Sequence, residues 1–372
     1  MKKTVLLAAI IVLTAVACRK PNDEPVAQPT GPFCDSVCLY RPGDYGSAKW
    51  RIPALLCLDD GTLLAVNDKR KYNYRDLPED IDIVVRRSAD NGRTWSEPTT
   101  IMAGTGYKQG YGDPALVQCQ NGDVLCLFAG HNGYFQSTDA EPICVFLKRS
   151  TDRGLTWGDT VNLTASLWTA GAPYGAAFVA SGNGLRLKKG PHAGRILFAA
   201  ALLKRNKAYS DNYVLISDDD GHTWHHSACA FDGGDEAKLM ELSDGSVLIS
   251  VRRTGERGYN ISTDGGENWG TQGTWPEMTV NACNGEMLRV DDTTLLHSIP
   301  NSIRREDVSI YESNDEGRTW HSPVLMVDGP SVYSSMTKMN DGSIGLYVEV
   351  GPDTNCSLYY YRFNMEWLRS KQ

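Results

Sequence analysis

Ser88-Ala89-Asp90-Asn91-Gly92-Arg93-Thr94-Trp95 decides the fold of this chain, because the stretch returns four times. The copies are STDRGLTW at Ser150 to Trp157, SDDDGHTW at Ser217 to Trp224, STDGGENW at Ser262 to Trp269 and SNDEGRTW at Ser313 to Trp320. They share the form S-x-D-x-G-x-T-W and recur every 45 to 67 residues. A period of that size marks repeated supersecondary units. Asp and Asn side chains hydrogen-bond their own backbone and close a turn, and the glycine supplies positive φ. The tryptophan is a large apolar anchor to wedge between neighbouring sheets. Each copy therefore reads as a self-stapled turn on a sheet rim, and its Asp as scaffold rather than chemistry. The fourth copy has Asn268 in place of Thr, and a weaker turn is expected there.

Outward from the boxes, short apolar or alternating runs are broken by turn pairs. Asp60-Gly61, Asn121-Gly122, Asp244-Gly245 and Asp341-Gly342 each separate two such runs, the strongest short-range sign of a hairpin. No stretch keeps a helical period over three turns. The sequence predicts an all-β chain, a six-bladed β-propeller, with five blades marked by boxes and the sixth supplied by the N-terminal strand region.

The 372 residues are 41% hydrophobic and 22% charged, with 36 glycines and a net charge of −8. That is an ordinary globular composition, and its acidity argues against a nucleic-acid surface. Lys2 and Lys3 precede an apolar run from Val5 to Val16, which reads as a signal peptide over residues 1–17. Ala15-Val16-Ala17 ahead of Cys18 resembles a lipoprotein signal, with simple cleavage as the alternative. The chain is accordingly expected to be exported, as a periplasmic or surface lipoprotein or as a secreted protein. Residues 18–32 read as a polar tether and residues 33–372 as one domain. Among the ten cysteines, Cys119 and Cys126 flank a turn and Cys34 lies near Cys38. Disulfides and free buried thiols both fit this pattern. No Cys/His spacing reads as a metal site, and no cofactor is implied.

Four stretches fall outside the scaffold pattern. They are Arg51-Ile52-Pro53; the charged run from Asp68 to Asp82; Gly234 to Ala237 with the hairpin that ends at Arg252-Arg253; and Arg304-Arg305 with Tyr333-Ser334-Ser335-Met336 and Glu349. Together with the boxes, these resemble the Asp-box bacterial exo-sialidases (neuraminidases) from Phe33 to about Leu368. The resemblance implies an arginine triad at Arg51, Arg252 and Arg305, with Arg304 as the fallback register. It implies Tyr333 as nucleophile, Glu236 as its base, Asp76 as acid/base and Glu349 as support for Arg51. Arg70 and Asp113 match positions that contact the sugar's 4-position. Asp80 and Asp82 compete with Asp76, and their alternation places them on one side of a strand. Ser250 stands where many relatives have Asn.

The chemistry of the substrate fits these residue types. A sialic acid bears its carboxylate on the carbon that is substituted. Arginine offers a permanently charged fork for that group. A carboxylate nucleophile would approach a second anion, and at 4 Å the repulsion is about 4 kcal/mol at an effective dielectric of 20. A neutral tyrosine avoids it, and is the known exception to the two-carboxylate pattern of glycosidases. The expected activity is retaining hydrolysis of terminal sialic acids on glycoconjugates, by a monomer that meets a membrane only through its anchor. Two alternatives stay open: a non-catalytic sialoglycan-binding propeller, and a related enzyme for deaminated sialic acid or an anhydro product. Trp168 and Tyr174 are candidates for stacking on a further sugar.

Overall fold

The structure, a computed structural model, describes residues 31–167, 174–205, 209–280 and 282–372. The expected leader, the tether as far as Thr30 with Cys18, and Trp168 lie outside these residues. Six sheets follow one another along the chain and close into a β-propeller. In blade one the order is Lys49–Cys57, Leu63–Arg70, Ile81–Ser88 and Thr99–Met102. Its inner strand contacts the inner strands of blade two, Gly110–Gln118, and blade six, Ser331–Lys338. The ring closes by strand exchange: Cys34–Tyr40 pairs antiparallel with Ser357–Phe363, Val37 opposite Tyr360. The N-terminal strand is thus the outer strand of blade six. Each box joins the third strand of its blade to the fourth. The last blade takes its fourth strand from the start of the chain, so five boxes serve six blades. Radial closure leaves only the short outer strands of the blades as sheet edges.

The boxes have nearly identical bonding. Ser88 Oγ donates to Asp90 Oδ1 at 2.8 Å, and Gly92 N donates back to Ser88 Oγ at 2.9 Å. Thr94 N and Thr94 Oγ1 donate to the two oxygens of Asp90, at 2.9 and 2.6 Å. Positive φ is needed twice, at Asn91 (58°) as well as Gly92 (80°). A Cβ on Gly92 would fall 2.1 Å from the Tyr360 ring of blade six, so only glycine lets the turn seat against the preceding blade. Trp95 meets that same ring edge-on, with centroids 5.1 Å apart. The box therefore fastens two blades as well as closing one hairpin.

Two expectations are corrected. The fourth box is not weakened by its missing threonine. Asn268 N donates to Asp264 Oδ1 at 2.9 Å and Asn268 Nδ2 to Asp264 Oδ2 at 2.8 Å, so the amide replaces the hydroxyl. Cys119 and Cys126 do not face each other. Cys126 lies opposite Leu116 in the register, and Cys119 begins the turn, its N–H bonded to Asp123 O. All nine cysteines among the described residues are free thiols, including Cys34 and Cys38.

Box geometry gives a stability prediction. Hydrogen bonds from Thr156, first its hydroxyl and then its N–H, hold the Asp152 carboxyl down at about 2. The folded pKa is depressed, so this contribution is present above the unfolded value of about 4 and is lost as pH falls towards about 2. Asp152→Ala is expected to lower the unfolding free energy by about 1 kcal/mol at neutral pH. Chemical denaturation should show that difference shrinking in acid.

Candidate active site

Three inner strands are bulged at the same end of the propeller. The pairing register slips between Arg51 and Ala54, between Gly112 and Ala115, and between Ser331 and Ser334. Ile52 and Asp113 both take positive φ, 62° and 57°, and each is followed by a proline with no N–H to pair. Bulges re-aim side chains and are common next to active sites. These three turn Arg51, Asp113 and Tyr333 towards the axis, where they line a cavity of about 570 Å³ with Asp76, Glu236, Arg252 and Arg305.

Tyr333 is the centre of the arrangement. Its hydroxyl donates to Glu236 Oε2 at 2.6 Å and accepts from Arg252 Nη1 at 2.7 Å. The guanidinium carbons of Arg51 and Arg305 lie 5.7 and 5.8 Å from its ring centroid. Three cations thus converge on one phenol. Burial pushes the phenol's pKa well up, with Arg252 opposing and Glu236 adding. The hydroxyl therefore stays neutral, already bonded to a base.

Each guanidinium has an anion at its back. Arg51 Nε donates to Glu349 Oε1 at 2.6 Å. The same fully buried carboxylate also accepts Ile52 N at 2.7 Å and Tyr333 N at 3.2 Å, tying two bulges together. Arg252 is paired with Glu236 and, at 3.5 Å, with Asp235. Arg305 Nη1 donates to Asp353 Oδ2 at 2.7 Å, while the Asp353 carbonyl accepts from Arg51 Nη1 at 3.1 Å. Burial lowers the pKa of Arg51 and Glu349 raises it, with a net shift well above the usual arginine value.

Arg70 is buried below the cavity. Its Nη2 meets Asp76 Oδ1 at 2.6 Å and Asp68 Oδ2 at 3.0 Å. The Arg70 charge holds the Asp76 carboxyl below the usual range. The Asp76 side chain itself is 79% exposed, on the loop that follows Arg70.

All nine candidates from the sequence gather here, seven on the cavity wall and Arg70 and Glu349 directly behind it. Arg304 is exposed and lies off the wall, so the register is that of Arg305. Asp80 and Asp82 do share one side: both accept from Lys71 Nζ at 2.9 Å, away from the cavity. Ser250 is buried outside the cavity, between Arg257 Nε at 2.7 Å and His297 Nε2 at 2.9 Å. Tyr174 is not available for stacking, since it is buried and its hydroxyl bonds Tyr213. Sequence reasoning missed the exposed aromatics on the cavity wall, Tyr74, Tyr107 and Phe135. It also missed Asp353, whose only signal is a Gly-Pro-Asp turn after the last inner hairpin.

Known proteins resemble this chain in sequence and in fold. Residues 62–346 match the model of the BNR repeat-like domain. A curated sialidase of Micromonospora viridifaciens is 32% identical over 97% of this chain and 58% of its own length. A sialidase of Bacteroides fragilis is 26% identical over 84% of this chain and 62% of its own. The chain thus spans about three-fifths of the length of these relatives. Among solved structures, a Hadza microbial sialidase superposes with TM-score 0.80 at 25% identity, covering 89% of this chain and 68% of that one. An intramolecular trans-sialidase of Ruminococcus gnavus shares the fold with TM-score 0.78 at 20% identity, over 89% of this chain and 97% of that one.

Removing Glu349 leaves Arg51 buried without its anion and two backbone N–H groups without acceptors. Glu349→Ala is expected to cost about 3–5 kcal/mol, read as a large fall in melting temperature. Asp353→Ala, at a half-exposed position, should cost under about 1 kcal/mol. Equal losses would show that Glu349 is not the buried tie described here.

Proposed function

The chain belongs to the BNR repeat-like family, and from that premise we propose that it is a retaining exo-α-sialidase acting on sialylated glycoconjugates. One observation carries the reading: a buried phenol hydrogen-bonded to a carboxylate and surrounded by three arginines. Such a site suits a substrate whose reacting carbon carries its own carboxylate. Arg51, Arg252 and Arg305 take that carboxylate and fix the anomeric carbon over Tyr333.

The phenol oxygen attacks the anomeric carbon while its proton passes to Glu236. Arg252, bonded to the same oxygen, stabilises the negative charge that develops there. The glycosidic C–O bond breaks and the leaving oxygen takes a proton from Asp76. Water then attacks the tyrosyl-sugar with Asp76 as base, the sugar–Tyr333 C–O bond breaks as Glu236 returns its proton to the phenol oxygen, and the two inversions give net retention. Asp76 is protonated only when it parts from Arg70, so entry of the sugar between them turns a carboxylate into an acid. The leaving group's own sugars lie over the exposed Tyr107 and Phe135. Export, with Cys18 as lipid anchor, belongs to the same proposal.

A fluorogenic α-sialoside assay tests the reading, with NMR of the released sugar to identify it as sialic acid, its deaminated form or an anhydro product. No release of any acidic sugar would sink the proposal. Tyr333→Phe should lower kcat by at least about 10³ and leave sugar binding within about threefold. A non-catalytic sialoglycan-binding propeller would bind sugar equally well in both forms and turn over neither.

Asp76→Ala should separate two substrates. A natural sialoside needs a proton on its leaving oxygen, and its kcat should fall by about 10²–10⁴. An aryl sialoside leaves without one, and its bond-breaking step should change far less. Equal losses on both would remove Asp76 from the acid role.

A further inference from the structure

A fourth arginine lies behind the site. Arg257, on the strand Gly255–Ser262 of blade four, is 1% exposed and is not on the cavity wall. The pairing registers set it beside Glu236 and Arg252. Ala237 lies opposite Val251 and Val251 opposite Gly258, and Arg252 N donates to Glu236 O at 2.8 Å. One step beyond that row stand Glu236, Arg252 and Arg257. Yet Arg257 pairs with no carboxylate among the described residues. Its Nε donates to Ser250 Oγ at 2.7 Å and its Nη1 to the Cys283 carbonyl at 2.8 Å, and its Nη2 finds no acceptor there. Burial pulls the guanidinium down to about 10, with Cys283 and Glu236 opposing, and it stays a cation at neutral pH. A buried cation with neutral partners alone is a costly way to fill space. An apolar side chain of similar length would pack there without the lost hydration. What an apolar side chain lacks is a donor for Cys283.

We propose that Arg257 is a positioning residue for Tyr333 and Arg305, holding both through the Ala282–Cys283 peptide without touching the sugar. That peptide leads into the inner strand of blade five, Glu286–Arg289, and the site uses its other side. The Ala282 carbonyl accepts from Arg305 Nη2 at 3.0 Å. The Cys283 side chain is fully buried and forms one cluster with Ile52, Val332 and Tyr333. Arg257 therefore grips from behind the two residues that seat Arg305 and pack with Tyr333 in front. What Tyr333 and Arg305 do with a sugar rests on the sialidase reading; the grip on the peptide does not.

Arg257 is itself anchored. His297 Nδ1 meets the Ser298 carbonyl at 3.2 Å, a contact that needs the ring proton on Nδ1. Burial, with the Arg257 charge adding, pushes the His297 pKa well down, so the ring is neutral and its Nε2 accepts. The Ser250 hydroxyl donates to that nitrogen at 2.9 Å, which leaves the Ser250 oxygen to accept from Arg257. Ser298 Oγ lies 2.8 Å from Ser334 Oγ, and Ser334 follows Tyr333 in the chain. A line of buried polar groups thus runs from Arg257 across blade five to the strand that carries Tyr333. The Cys283 carbonyl is the second and shorter route between the same two residues.

Three variants of the full chain test this. Arg257→Met keeps the length and donates nothing, Arg257→Lys restores a donor, and Ser250→Ala removes the anchor while leaving the peptide untouched. With a fluorogenic α-sialoside, kcat per folded molecule should fall about 10²-fold in Arg257→Met, the effect of a misplaced reacting group. KM should change far less, because Arg51 and Arg252 still hold the carboxylate. Arg257→Lys should recover most of the loss, and Ser250→Ala should fall between. A merely structural role would lower the melting temperature and leave kcat of the folded molecules unchanged. That result, or Lys no better than Met, overturns the proposal. Native-state alkylation, mapped by peptide mass spectrometry, needs no turnover. Cys283 should react about tenfold faster in Arg257→Met than in the wild type, through local opening, while the fully buried Cys126 of blade two keeps its rate. Unchanged protection of Cys283 also overturns the proposal. Where Arg257→Met does not fold, Ser250→Ala carries both readouts. If the wild-type chain releases no sugar, the sialidase reading fails, and the Cys283 rate still decides whether Arg257 holds the peptide.

Discussion

Three guanidinium groups repel one another, and this protein gathers them around a single phenol. The cavity exists only because each cation is neutralised from behind. Glu349 backs Arg51 from full burial, Glu236 with Asp235 backs Arg252, and Asp353 backs Arg305. The three differ in exposure and therefore in strength. A buried pair is costly to break because the surviving charge stays in low dielectric, whereas a half-exposed pair is screened. Arg51 is the rigid member, and Arg305, held by a loop aspartate, is the adjustable one. Glu349 also fixes two bulged strands through their amides, so the electrostatics of the triad and the backbone of the site are one construction.

The same logic keeps the buried phenol neutral. Burial holds the proton on the Tyr333 phenol, and Glu236 Oε2 accepts its hydrogen bond at 2.6 Å, which is where the proposed base has to stand. Arg252 touches both partners. In the proposed attack it would neutralise Glu236 before the proton transfer and the phenolate during it, and that balance would limit the reorganisation a buried proton transfer otherwise requires.

Much of this was legible in the sequence, for physical reasons that differ by residue. The boxes are local: every bond that closes the Ser88–Thr94 turn spans four residues or fewer, so spacing alone reveals them. Asn268 shows the limit of pattern reading, since an amide reaches the same carboxylate oxygen as a threonine hydroxyl. Asp353 was illegible as part of the site, and Asp68 was flagged only as the start of a charged run, with no legible partner. Asp353 sits 48 residues from Arg305 and 302 from Arg51, and Asp68 meets the Asp113 amide 45 residues away. Only the closed ring brings such groups together. Arg51-Ile52-Pro53 and Gly112-Asp113-Pro114 share a signal that was available: a residue forced to positive φ ahead of a proline, at the start of an inner strand.

That partition follows from the parity of an antiparallel blade. Turns between strands one and two, and between three and four, fall at one end of the propeller. Turns between two and three, and the links from four to the next blade, fall at the other. The first set carries Asp60-Gly61, Asn121-Gly122, Asp244-Gly245, Asp341-Gly342 and all five boxes. The second set carries Asp76, Arg305 and Asp353, and strand ends at that side carry Arg51, Asp113, Glu236, Arg252 and Tyr333. Repetition is affordable only where identical turns do identical work, so it collects at the end that fastens blades. At the other end, under the proposed function, each loop would meet a different part of one asymmetric sugar, and the loops there differ accordingly. A sequence that alternates between repeated and unique turns is therefore already divided into scaffold and chemistry, and the unique turns are where substitutions alter specificity while leaving the ring intact.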